Sequence, residues 1–258
     1  TAVIIARLRA DSLARDSSII TVLDPCGFYV THTVGSVLRG SFGPANCRVD
    51  LGGVRALNQT IGFTIERAGT IAYRYQGFVP LSDFTLPFPE RGVGVWGYVR
   101  LAPRANQRGV IFATPGLYFV DAYSRDLAEG LFEFETTRDP DPTTLCGVDK
   151  LAMPGAAFSV VLGGGCATEI VSGMTLVPGG GTVQVRATAA AFAVRLELCD
   201  PVRSCDTQPL GTSNAVGPGA PAQVSFRNPG VGARRWYVRL SSVTNGTSTG
   251  TIQVAIDP

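Results

Sequence analysis

Few side chains in this sequence are equipped for acid–base or nucleophilic chemistry. His32 is the only histidine, and a nucleophile–base arrangement needs an imidazole or an equivalent base beside an activated hydroxyl or thiol. It sits in the alternating run Tyr29, Val30, Thr31, His32, Thr33, Val34, where it reads as an exposed residue or a hydrogen-bonded filler. Glu133 and Glu135 have the spacing of a paired-carboxylate glycosidase only in sequence. On a strand both acids share one solvated face, with Phe132 and Phe134 on the other. The triple glycines at 163–165 and 179–181 lack a following helix and a lysine, so they are turns and not phosphate cradles. No G-x-S-x-G elbow, H-E-x-x-H pair or P-loop occurs. The expectation is a protein that is not an enzyme and has no catalytic residue, cofactor or resident metal.

Six cysteines remain, and their spacing favours disulfides over zinc, which prefers close C-x-x-C pairs and histidine. Cys26 is followed by Cys47, and Cys146 by Cys166, at nearly the same interval, so each half is expected to carry its own bridge. Cys199 and Cys205 flank Asp200 and Pro201, a turn signal suited to a bridged hairpin tip. A bridge closing some twenty residues contributes about 3 kcal/mol in the chain-entropy account and implies an oxidising compartment. An extracellular or cell-surface location is expected. Asp83, Asp121, Asp139 and Asp141 show no D-x-[DN]-x-[DN]-G calcium loop.

The elements that must position these groups are strands. Charged residues are only 16% of the chain, so Thr, Ser, Asn and Gln must cover much of its surface; the 31 glycines and 17 prolines fall between short β-rich runs and read as turns. A net charge of +2 without a polybasic run excludes nucleic acid and anionic membrane as natural partners. Positive charge is carried almost wholly by arginine; Lys150 is the only lysine, a compositional bias without functional content. No apolar run reaches the roughly 20 residues of a membrane span. The chain starts at Thr1 without an initiator Met or a signal peptide, from which a mature, processed form is expected.

An internal repeat organises the rest. Cys26 to Cys146 and Gly130 to Gly250 are both offsets of 120, while Cys47 to Cys166 and Tyr118 to Tyr237 are offsets of 119. Period-two alternation with turn signals predicts an all-β protein of two tandem antiparallel jelly-roll-like β-sandwich domains, 24–138 and 143–258. A Pro-rich linker, 139–142, separates them. An apolar strand, a Gly-Gly-Thr turn and a second strand, then Pro115-Gly116 or Pro229-Gly230, a Tyr-containing strand and a last strand after Gly130 or Gly250, resemble the bacterial pre-peptidase C-terminal domain. The resemblance covers most of 24–137 and 143–257 and implies a secreted accessory module, in some cases a substrate or matrix binder. Aromatic residues Tyr73, Tyr75, Phe78, Phe84, Phe88, Trp96 and Tyr98 suit a sandwich core or a sugar platform, and core is the simpler reading for Trp96 and Trp236.

Residues 1–23 have no counterpart in the second half. They read as an extra N-terminal strand segment in which Ala2, Ile4, Ala6 and Leu8 share one face. An unpaired strand of this kind needs a groove, in its own domain or in a neighbour. The functional expectation is a non-catalytic structural subunit of an extracellular filament or surface layer, a homo-polymer held by donation of that strand. The alternative is a secreted carbohydrate- or protein-binding accessory module with a glycan or matrix ligand.

Overall fold

The computed structural model describes residues 2–7, 15–20, 29–50, 53, 55–77, 82–87, 98–100, 106–153, 155–163, 165–173, 177–200, 205–206, 208–244 and 248–257. Strands dominate them, and no α-helix occurs among the described residues. The chain opens with β1 (Ala2–Arg7) and β2 (Arg15–Ile20). It continues with β3 (Tyr29–Thr31), β4 (Val37–Phe42), β5 (Cys47–Asp50), β6 (Arg55–Ile65) and β7 (Gly69–Gly77). Then come β8 (Ser82–Pro87), β9 (Tyr98–Arg100), β10 (Asn106–Ala113), β11 (Gly116–Arg125) and β12 (Gly130–Arg138). The second half holds β13 (Asp149–Ala152), β14 (Ala157–Leu162), β15 (Thr168–Gly173), β16 (Thr182–Ala189) and β17 (Val194–Cys199). It ends in β18 (Gly211–Asn214), β19 (Ala222–Arg227), β20 (Tyr237–Ser242) and β21 (Gly250–Asp257).

Alternation builds the sandwiches as the sequence predicts. Along β16, Val183, Val185, Ala187 and Ala189 are buried, while Thr182, Gln184 and Arg186 face solvent. On β12, Phe132 and Phe134 are buried between the outward residues Leu131, Glu133 and Glu135. Two hydrophobic cores result. The first joins β7 and β12 to β6 and β11 through residues such as Tyr75, Phe134, Phe63 and Val120. The second joins β15, β17 and β20 to β14, β16, β19 and β21 through Val171, Leu196, Leu240, Phe158, Val185 and Ile252.

One nine-stranded sheet serves both cores, in the order β18-β17-β20-β15-β13-β10-β7-β12-β4. Its midpoint is a parallel pair between β10 and β13, with Gly109 opposite Asp149 and Phe112 opposite Ala152. Most pairs are antiparallel, as expected; β3 with β6, β10 with β13 and β13 with β15 are parallel. Ile111 and Leu151 belong to the first core, whereas Val110, Phe112 and Ala152 belong to the second. Adjacent residues of a strand point to opposite faces, so the first sandwich closes on one face of the shared sheet and the second on the other. The seam strands are buried on both sides, the environment in which parallel pairs and unbroken apolar runs occur. Val110, Ile111 and Phe112 are each 1% exposed or less, and burial of such side chains stabilises by about 1.5–3 kcal/mol apiece. Gly109 is required here because a Cβ would overlap the Tyr73 ring on the next strand.

The stretch expected as a linker lies against the sheet. The Asp139 N–H donates to the Thr70 carbonyl, and Pro142–Leu145 forms a 3₁₀ turn capped by the Asp141 carboxylate, which accepts from the Thr143 N–H. At the other end of the chain order, β1 and β2 pair antiparallel with each other, Ile4 opposite Ser18, as a separate two-stranded sheet.

Candidate functional site

Closing the two sandwiches on opposite faces leaves the other face of the shared sheet, in each half, without a second sheet packed on it among the described residues. In the first half that open face carries cross-strand rows of polar side chains on β4, β12, β7 and β10. Pairing register puts Arg39 opposite Glu133 and Glu133 opposite Gln76. The next row runs Val37, Glu135, Arg74 and Arg108. The Arg39 Nε donates to Glu133 Oε1 at 2.9 Å, and Arg74 donates to Glu135 Oε2 at 2.8 and 2.9 Å. Among the described residues Arg108 has no carboxylate partner, although Arg74 lies directly across from it. Val37 and Leu131, 47% and 61% exposed, border the rows. The ladder has opposite charges opposed at two places, a stabilising arrangement, and like charges opposed at Arg74 and Arg108, an unfavourable one.

Beside Arg74 and Arg108 the face meets a step formed by the start of the second half. A cavity of about 210 Å³ lies in this corner, lined by Arg74, Arg108, Glu135 and Thr137 from the face and by Thr144, Leu145 and Val148 from the step. Behind the step is the only lysine. The Lys150 ammonium donates to the Leu145 carbonyl, the Val148 carbonyl and the Glu169 carboxylate, the last at 2.7 Å. Both side chains of that ion pair are 5% exposed or less. Burial pushes the Glu169 carboxyl above its ordinary range, and the hydrogen bond and charge from Lys150 oppose that. With all three ammonium hydrogens engaged, Lys150 acts as a strut between the turn and β15.

The strut floors a second cavity of about 570 Å³, where β13 and β15 run side by side but pair only at Leu151 with Ser172 and Ala152 with Gly173. Cys146 and Cys166 are joined across its rim, with Cα atoms 5.8 Å apart.

Cys199 and Cys205 are also bridged, Cα to Cα 5.2 Å. Cys47 is disulfide-bonded, and its expected partner Cys26 lies outside the described residues. His32 is 4% exposed, packs edge-on against Phe63 and Phe134, and shares a 2.8 Å hydrogen bond between its Nε2 and the Thr136 hydroxyl. Burial lowers its pKa. That is the filler role, with a neutral imidazole. Trp236 is 2% exposed in the second core, over Gly173; Trp96 lies outside the described residues. Asp121 is buried and accepts from the Thr60 and Tyr123 hydroxyls, while Asp139 and Asp141 accept backbone N–H groups of Thr70 and Thr143. Among the described residues no group of three His, Cys, Asp or Glu side chains is placed to hold a metal ion. Ala2, Ile4 and Ala6 lie on β1, opposite Ile20, Ser18 and Asp16, and Leu8 lies outside the described residues.

Sequence reasoning did not single out Arg74, Arg108 or Glu169, and it noted Lys150 only as a compositional bias. The available signal was local: Arg74 is the one charge between Tyr73 and Tyr75, and Lys150 the one lysine of an arginine-rich chain.

No family model matches the chain, and comparison with curated proteins finds no match. Among solved structures, the chain is similar to the pre-peptidase C-terminal domain of a collagenase from Bacillus anthracis, at 16% identity and a TM-score of 0.33. That match covers 43% of this chain and 95% of the other. The tandem CBM22-1–CBM22-2 domain of Xyn10C from Paenibacillus barcinonensis matches at 13% identity and a TM-score of 0.25, over 88% of this chain and 98% of that one. The PBSX exported protein XepA matches at 10% identity and a TM-score of 0.23, over 98% and 94%.

Proposed function

We propose that this chain is an extracellular binding module, composed of two domains of pre-peptidase C-terminal-like type at 24–138 and 143–258, that holds a carbohydrate ligand on the open face of β4, β12, β7 and β10. The observation that carries the reading is the polar ladder itself: Arg39, Glu133 and Gln76 in one cross-strand row and Glu135 and Arg74 in the next set donors beside acceptors on the sheet face, bordered by the exposed apolar Val37 and Leu131. Sugar hydroxyls both donate and accept, so they suit the donor and acceptor capacity that the guanidinium, carboxylate and amide groups keep beyond their pairs with each other. The disulfides support an oxidising compartment.

The test is retention on a panel of immobilised polysaccharides by the intact chain and by an Arg39→Ala, Gln76→Ala variant. Retention lost in the variant supports the face. Equal retention of both proteins, or retention of a protein ligand in place of every polysaccharide, overturns it.

A second reading, the filament subunit, draws on the two-stranded sheet of β1 and β2, which among the described residues joins none of the other sheets. In that reading the face carrying Ala2, Ile4, Ala6 and Leu8 is donated to a neighbour, whose groove satisfies the strand's free backbone edge. Sizing of the chain against a variant lacking residues 1–23 decides it, because assembly that persists without them sinks strand donation.

A further inference from the structure

We infer that the corner pocket beside Arg108 seats the carboxylate of an acidic sugar, so that the ligand of the open face is a polysaccharide bearing uronic-acid residues. The inference rests on the carbohydrate reading given above and adds the charge of the ligand to it.

Charge complementarity carries it. The row Glu135, Arg74, Arg108 crosses three adjacent strands with two guanidinium groups and one carboxylate. Arg74 spends its contacts on Glu135 Oε2, and Arg108 has no carboxylate partner among the described residues. Two arginines directly opposed on neighbouring strands repel, and a second anion in the corner would remove that repulsion. A guanidinium offers parallel N–H donors matched to a carboxylate, so the anion that suits the site is planar and accepts two hydrogen bonds.

The walls agree with this assignment. The carbonyls of Leu145 and Val148, whose residues line the step, already accept from the Lys150 ammonium, so their lone pairs are committed away from an incoming anion. Thr137 lines the same corner, while the Thr144 hydroxyl is spent on the Asp141 carbonyl, to which it donates at 2.7 Å, so the guanidinium groups are left as the donors for the anion. At about 210 Å³ the cavity is smaller than the roughly 300–1,000 Å³ of pockets that enclose whole ligands. It therefore holds one substituent of a chain whose remainder lies along the ladder. An acidic peptide would present the same carboxylate, but an extended peptide gains its affinity from hydrogen bonds to a free sheet edge. The pocket lies on β12, β7 and β10, interior strands of the shared sheet whose backbone groups are paired on both sides; the sheet edge is at β4, beyond the ladder.

The experiment measures binding of the full chain to polygalacturonate, to its fully methyl-esterified form, to a neutral polysaccharide panel and to poly-glutamate. Arg108→Gln and Arg108→Lys variants are run beside it, with thermal melting as a control for folding. The acid form should bind about tenfold or more tightly than its ester, the worth of one charge-assisted pair. Arg108→Gln should lose that preference, Arg108→Lys should keep part of it, and added salt should weaken only the acid form. Equal binding of acid and ester overturns the inference while leaving the carbohydrate face intact. Poly-glutamate bound as tightly as polygalacturonate overturns it in favour of charge alone. Binding of no polysaccharide of any kind removes both readings. Should Arg108→Gln fail to fold, the acid-to-ester ratio of the unaltered chain still decides.

Discussion

The two open faces of the shared sheet carry similar side chains and use them differently. In the first half, Arg39 is 81% exposed in its pair with Glu133, Arg74 is 42% exposed in its pair with Glu135, and Arg108 stands beside them with no carboxylate partner among the described residues. In the second half, Glu197 is 3% exposed and accepts from Arg195 at 2.8 Å and Arg239 at 2.7 Å. Arg239 also donates to Asp206, and the Cys205 N–H, at the end of the adjacent disulfide loop, donates to the Tyr237 hydroxyl. Burial acts to push the Glu197 carboxyl up, but the hydrogen bonds and charges of the two arginines outweigh it and hold the group below its ordinary range. One cluster is folded in on itself. The other keeps donors available to a ligand. A charged row on a sheet is therefore not evidence of binding until its internal partners are counted, and that count separates the two halves.

The interiors differ in the same sense. The second half buries a charge with its counter-ion, Lys150 with Glu169, while the first half buries a titratable group in its neutral form, His32. The largest expected effect follows from breaking the former. Lys150→Met removes the cation and leaves a buried carboxylate, which costs about 3–5 kcal/mol of stability. The remaining Glu169, already raised by burial, would be raised further, so the loss should be greatest at neutral pH and relieved as pH falls and the group protonates. Adding Glu169→Leu should restore most of the loss. Chemical denaturation at two pH values measures all three. A single variant as stable as the parent would mean that the strut is not structural, and the contrast between locked and open charges would fail on its stronger side.

A smaller effect belongs to His32. Its folded pKa lies below the unfolded value of about 6.5. The unfolded chain therefore takes up a proton that the folded chain resists. Stability is full above that unfolded value and declines as pH falls below it toward the folded one. Asp121 and Glu169, both raised by burial, contribute with the opposite sign and in the carboxylate range. The difference between the parent and His32→Gln, measured against pH, isolates the histidine. A difference that does not change between pH 7 and pH 5 would show the imidazole to be solvated.

How far the sequence reaches can be read from particular residues. Val183, Gln184, Val185 and Arg186 announce their strand by alternation, and so do Phe132 to Glu135, because burial on one face imposes period two. The seam is different: Val110, Ile111, Phe112 and Ala113 are buried without interruption, a pattern that marks two covered faces but does not say which strand lies alongside. Arg74, Arg108 and Glu135 are far apart in the chain and meet only through register. Register depends on the whole sheet, so no local spacing reveals the row or the place of Arg108 in it. Lys150 and Glu169 are hidden for the same reason.

The smallest expected effect on stability sharpens the comparison most. Arg39 and Glu133 form a well-made pair on the open face, yet an exposed ion pair gains little over solvation and must order two long side chains. A double-mutant cycle of Arg39→Ala and Glu133→Ala should return a coupling of about 0.2–1 kcal/mol, and it should shrink as salt is added. The same substitutions should weaken ligand retention on the face. Side chains that contribute little to folding and much to retention are what an open face requires. A coupling as large as that of a buried pair would place the ladder among the locked clusters, and the functional contrast between the two halves would then have no basis in their charges.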